Sequence, residues 1–135
     1  MAGYSGTPLF KKLGIQEGFR VRTIAAPDHY LELVDGLPIG VKISSRLRGE
    51  VDMYHIFTKR CEELPGLIQT AIQAIPSNGM IWVSWPKKSS KVISDMTEDE
   101  IRRVALPLGL VDVKVCAVDD VWSGLKLVMR KENRR

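Results

Sequence analysis

Val113-Lys114-Val115-Cys116-Ala117-Val118 and Leu125-Lys126-Leu127-Val128-Met129 stand near the end of the sequence as two strand-like runs about six residues apart. So short a connection joins neighbours in a hairpin, and the second run is expected antiparallel to the first. Upstream the spacing changes. Phe19-Arg20-Val21-Arg22-Thr23-Ile24 alternates apolar with polar residues, Val41-Lys42-Ile43-Ser44 is short, and Val51-Asp52-Met53-Tyr54-His55-Ile56-Phe57 is dense enough for a strand buried on both faces. Met80-Ile81-Trp82-Val83-Ser84-Trp85 makes the fourth run. Numbered along the chain, these are strands 1 to 4, and the closing pair are strands 5 and 6.

Helical signals separate the strands. Thr7-Pro8 opens a short helix with Leu9, Phe10 and Leu13 on one face and Gly14 at its close. Pro27-Asp28 breaks strand 1 and starts a helix through Leu31 to Val34. Leu64, Leu67, Ile68, Ala71, Ile72 and Ile75 recur at helical spacing. Pro65 implies that this helix begins near Leu64 or is kinked. Thr97-Glu98-Asp99-Glu100 reads as a capping box, with Ile101, Val104, Ala105 and Leu108 behind it. Strands parted by helices form a parallel sheet covered on both faces.

The 135 residues suit one domain, with a core large enough to need neither metal nor disulfide. Hydrophobic residues make up 44% and charged residues 27%, a globular balance. No apolar run approaches the roughly 18 residues of a membrane span, and Met1 to Gly6 show no secretory leader. Cys61 and Cys116 are far apart and share no ligand spacing with His29 or His55, so reduced thiols in a cytoplasmic protein are expected and a metal site is not. The net charge of +4 gathers partly at Lys11, Lys12 and the tail Arg130, Lys131, Arg134 and Arg135. No aromatics interleave with that tail, so nucleic acid is not the expected partner.

The parallel sheet with its antiparallel ending resembles that of class I S-adenosylmethionine-dependent methyltransferases, from about Phe19 to Arg130. The resemblance implies a three-layer Rossmann-like α/β sandwich of strand order 2-1-3-4-6-5, strand 6 reversed. It also implies that one helix–strand unit is missing beyond strand 2. The chain then reads as a single domain, residues 1–17 forming a helical N-terminal extension and 131–135 a basic tail. Tyr4-Ser5-Gly6-Thr7-Pro8-Leu9, Trp82-Val83-Ser84-Trp85-Pro86-Lys87-Lys88-Ser89-Ser90, Lys114-Val115-Cys116-Ala117-Val118-Asp119 and Val121-Trp122-Ser123-Gly124-Leu125 resemble a bacterial family of small domains of unknown function.

In such sheets ligands bind beyond the carboxyl ends of the strands, where the order reverses, here between strands 1 and 3. Ala26 to Tyr30, Thr58 to Arg60 and Trp85 to Ser90 are expected to meet there, with the strand 5–6 turn at the same edge. The methyltransferase likeness calls for a glycine-rich turn after strand 1 and an acid after strand 2. Ile24-Ala25-Ala26-Pro27-Asp28 has no glycine, and Ser44-Ser45-Arg46 has no acid. Neither Ala nor Pro takes cheaply the positive φ that glycine supplies. No cofactor is therefore expected, S-adenosylmethionine in its usual mode included.

Candidate ligand contacts are Trp85, Lys87, Lys88, Ser89, Ser90, Asp119, Asp120, Trp122, Asp28 and His29. The lysines and serines suit a phosphate or carboxylate. Asp119 and Asp120 suit neutralising those lysines, and His29 suits a general base. His55, inside strand 3, reads as a buried structural imidazole. The expectation is a non-catalytic binding or regulatory domain for an anionic small molecule or a protein partner. The alternatives are an enzyme with a Lys/Asp site acting on a phosphorylated or carboxylated metabolite, and a divergent methyltransferase. A homodimer through the short strand 2 is also expected.

Overall fold

The computed structural model describes residues 6–134; the start of the Tyr4–Leu9 motif and the last tail residue, Arg135, lie outside the described residues. One six-stranded sheet organises the chain: β1 (Arg20–Ile24), β2 (Lys42–Ser44), β3 (Met53–Phe57), β4 (Met80–Pro86), β5 (Leu110–Ala117) and β6 (Trp122–Met129). The spatial order is β2-β1-β3-β4-β6-β5. The first four strands pair in parallel, while β6 runs antiparallel to both β4 and β5. The expected order and the reversed strand are both found. The turn between β5 and β6 is tighter than expected, because β6 already begins at Trp122.

Alternation along β3 and β4 builds two cores. Tyr54, Ile56, Ile81, Val83 and Trp85 face α3 (Leu64–Ala74) and α4 (Glu98–Ala105), whose Leu64, Ile68, Ala71, Ile101 and Ala105 are buried against them. Met53, Phe57 and Trp82 face the other way, toward α1 (Leu9–Leu13) and α2 (Tyr30–Leu33) with Phe10, Leu13, Tyr30 and Val34. These are the three layers expected.

Local chemistry accounts for the helix ends. Gly14 closes α1 at φ +86°, its N–H donating to the Phe10 and Lys11 carbonyls. Pro65 is absorbed at the start of α3, where its missing N–H costs nothing, after a 3₁₀ turn at Cys61–Glu63. Half of the capping box forms: Thr97 Oγ1 accepts from the Glu100 N–H at 3.1 Å. Glu100 itself turns to Arg103 at 2.6 Å, because a guanidinium one turn on is a stronger partner than a backbone N–H. The helix after β1 is a single turn, shorter than expected. No helix covers the β2–β3 crossover; Arg20 donates to the carbonyls of Glu50 and Arg48, and Arg22 to that of Leu47, holding it against β1. Among the described residues no helix is long and apolar enough to cross a membrane.

Candidate functional site

β1 and β3 are neighbours in space, and the chain order reverses between them. Beyond their carboxyl ends lies a recess of about 390 Å³, lined by Ala25, Pro27, Phe57, Thr58, Lys59, Arg60, Glu63 and Trp122. On the other side of the turn after β1, a recess of about 380 Å³ is lined by Thr23, Ala25, Ala26, Pro27, Asp28, Tyr30, Leu31, Ile43, Ser44 and Ser45. The turn that divides them corrects one expectation. Ala25 does adopt the left-handed conformation, at φ +55°, so the backbone shape that glycine supplies cheaply is kept at some strain.

A buried polar chain lies beneath. Tyr30 Oη and His55 Nδ1 are 2.8 Å apart, and His55 Nε2 and Ser84 Oγ are 2.8 Å apart. A neutral imidazole donates from one ring nitrogen and accepts at the other, so both of its valences are filled. His55 is fully buried, which pushes its pKa down to about 3, and burial likewise raises that of Tyr30. Phe57 stacks on His55 at 4.4 Å and meets Trp122 edge-on at 5.1 Å. This aromatic stack joins the polar chain to the recess wall. His55, read in sequence as structural, is itself fully buried, while Phe57 and Trp122 face the recess.

The electrostatics of the recess come from the residues after β3. The Lys59 carbonyl accepts from Ser94 Oγ at 2.8 Å, which ties this segment to the loop before α4. Cys61 N–H donates to Asp95 Oδ1 at 2.8 Å and its thiol to the Asp95 carbonyl; burial, then Asp95, push that thiol up to about 11. Arg60 pairs with Glu62 at 2.8 Å in solvent. Among the described residues no carboxylate comes within 4.0 Å of the Lys59 ammonium.

The residues singled out in sequence divide between places. Trp122 lines the β1–β3 recess, and Asp28 lines its neighbour. His29 donates to Asp119 Oδ2 at 3.2 Å, bringing the β1 turn and the β5–β6 turn together at the rim. The other oxygen of Asp119 accepts from the N–H groups of Val121 and Trp122 at 2.8 and 2.7 Å, which fixes that turn and leaves Asp119 no need of a lysine. Asp120 is exposed. None of Lys87, Lys88, Ser89 or Ser90 lines the β1–β3 recess. Ser90 Oγ donates to the Lys87 carbonyl at 2.6 Å and accepts from Val92 N–H, so its hydroxyl serves its own turn. Trp85 is buried on the α3/α4 face, beside a shallow hollow shared with Lys88, Met96, Thr97, Glu98 and Asp99. Strand alternation puts the two tryptophans on opposite faces, so they do not wall one site. A hollow of about 850 Å³ opens between the end of α3 and the start of β5, away from all of these groups.

Sequence reasoning named the Thr58–Arg60 segment but missed the Tyr30–His55–Ser84 chain and the contributions of Phe57 and Glu63. The signal was present: His55 and Phe57, two apart on β3, share a face, as do Trp82 and Ser84 on β4.

S-adenosylmethionine fits this site poorly. The end of β2 offers Ser44 and Ser45 and no carboxylate for ribose hydroxyls. Lys59 and Arg60 outnumber the carboxylate Glu63 along the neighbouring recess, where a sulfonium would meet a net like charge.

No family model matches the chain, and no curated protein is similar to it in sequence. Solved structures do share its fold. A precorrin-6y methyltransferase from Geobacter metallireducens GS-15 superposes with a TM-score of 0.65 at 11% identity, over 90% of this chain and 85% of that one. Aeropyrum pernix fibrillarin, solved with natively bound S-adenosyl-L-methionine, gives 0.62 at 14% identity, over 90% and 72%. Magnesium protoporphyrin IX methyltransferase from Synechocystis PCC 6803 gives 0.58 at 10% identity, over 90% and 74%. The likeness establishes a methyltransferase-like Rossmann fold.

Proposed function

We propose that this chain is a binding domain on a methyltransferase-like fold, taking a small anionic molecule in the β1–β3 recess without methyl transfer. One observation carries the reading. The recess lies where ligands collect in open α/β sheets, and the cation lining it, Lys59, lacks a carboxylate partner among the described residues. Thr58, Lys59 and Arg60 supply the polar contacts, and Phe57, Trp122, Ala25 and Pro27 supply an apolar wall. Such a mix of a few polar groups on apolar walls suits small-ligand recognition. The rim pair His29–Asp119 holds two loops in place around it.

A divergent methyltransferase is the second reading, favoured by the left-handed Ala25, which preserves the turn that a methyl-donor site uses. Calorimetric titration with S-adenosylmethionine and its demethylated product separates the two. Binding of either at micromolar concentration overturns the non-catalytic reading. A panel of small carboxylates should raise the melting temperature of the wild type and not of Lys59→Ala. A panel without effect, or one equally effective on the variant, sinks the proposal.

A further inference from the structure

The sheet face that carries α1 collects three lysines that pair with no carboxylate among the described residues. Lys126 on β6 lies directly opposite Lys114 on β5, so both side chains rise from one face. Lys126 Nζ stands 3.7 Å from where a Cβ would sit on Gly14, placing the pair beside the end of α1. Lys12 comes from the last turn of α1, and it and Lys114 both act electrostatically on Cys116, two residues along β5. The helix cannot swing away: Leu13 is fully buried, and its carbonyl accepts from Trp82 Nε1 at 2.9 Å.

Among the described residues no carboxylate lies within 4.0 Å of these three ammonium groups. Burial, then Lys114, holds Lys126 below the ordinary lysine value. Like charges directly opposed across a strand pair weaken a sheet. The α4 face of the same hairpin is arranged otherwise, with Asp112 pairing Arg102 at 2.9 Å.

We propose that Lys12, Lys114 and Lys126 form a site for a compact, multiply charged phosphate-bearing anion between the end of α1 and the β5–β6 hairpin. Ammonium groups serve phosphates as point charges, and three of them on two rigid elements match a ligand with several negative charges in a small space. Trp122, the tryptophan on this side of β6, is packed edge-on against Phe57, so a nucleic-acid strand finds no stacking platform. The site is independent of the recess between β1 and β3.

The test uses the full chain with sodium tripolyphosphate, at ionic strength matched with sodium chloride, read by calorimetry and thermal unfolding. The wild type should bind at one-to-one stoichiometry and melt several degrees higher. Lys126→Ala should lose at least tenfold in affinity. Lys114→Glu, which places opposite charges across the strand pair, should melt higher than wild type without ligand yet gain nothing from tripolyphosphate. Lys91→Ala, at an exposed lysine outside both sites, should bind as the wild type does. The proposal falls if binding is not saturable, or if Lys114→Glu binds as tightly as wild type. It falls equally if a single-stranded oligonucleotide competes as well as tripolyphosphate at equal phosphate concentration.

Discussion

Ala25 holds a backbone conformation that L-residues avoid, at a cost of about 1–2 kcal/mol. Glycine there removes the strain but adds about 0.5–1 kcal/mol of unfolded-state entropy. Ala25→Gly should therefore stabilise the fold by up to about 1.5 kcal/mol, while Ala25→Val should destabilise it; urea titration of both variants checks the sign. That Ala25 is left-handed was not legible in the sequence, because alanine carries no signature of positive φ and the surrounding fold imposes it. His55 is the second residue with a measurable consequence. Its folded pKa is about 3, against about 6.5 unfolded. Between those values the unfolded chain binds the extra proton, so stability is complete above about pH 6.5 and falls as pH drops toward 3. The slope approaches about 1.4 kcal/mol per pH unit. Urea midpoints at pH 7, 5 and 4 should show this decline, and His55→Gln should be less stable at pH 7 but should lack that part of the slope. An identical slope in the variant would show that other groups set the acid limit.

Elements were legible where a local signal and the tertiary context agreed. Thr97 begins α4 as the sequence indicates, and Thr97→Ala should cost about 1 kcal/mol by chemical denaturation. The return arm expected of Glu100 does not form, because Arg103 competes for the same carboxylate. The Trp85–Ser90 stretch reads in sequence as one charged, aromatic-flanked loop. The sheet splits it: Trp85 goes under α3 and α4 on one face, while Trp122 stays on the other. Only the strand register resolves this, since a shift of one residue exchanges the faces. A helical N-terminal extension sounds peripheral, yet α1 contributes Phe10 and Leu13 to a core. Leu13→Ala should accordingly lower stability by about 2–5 kcal/mol, the range for a fully buried leucine. A loss below 1 kcal/mol would mean that α1 is only loosely docked.

At the scale of the whole molecule, the strand order found is the one that the methyltransferase resemblance implied; alternating strands and helices followed by a tight hairpin give by themselves only a mostly parallel sheet with an antiparallel end. The site was less legible, because it draws on residues far apart in sequence, such as Pro27, Lys59 and Trp122, that only the closed sheet brings together. The two cores share β3 and β4, whose residues alternate between them. Leu13→Ala on one side and Ile101→Ala on the other should each shift one common unfolding transition, seen alike by tryptophan fluorescence and far-ultraviolet circular dichroism. Separate transitions would divide the domain along its sheet. The β2–β3 crossover, held to β1 through Arg20 and Arg22, is unlike either core: it is pinned by guanidinium–carbonyl bonds and carries no helix. Its tip at Arg48–Gly49 is exposed and takes no part in the sheet, so it is open to an epitope or a split reporter in a living cell, provided that the graft leaves the Arg48 carbonyl within reach of Arg20.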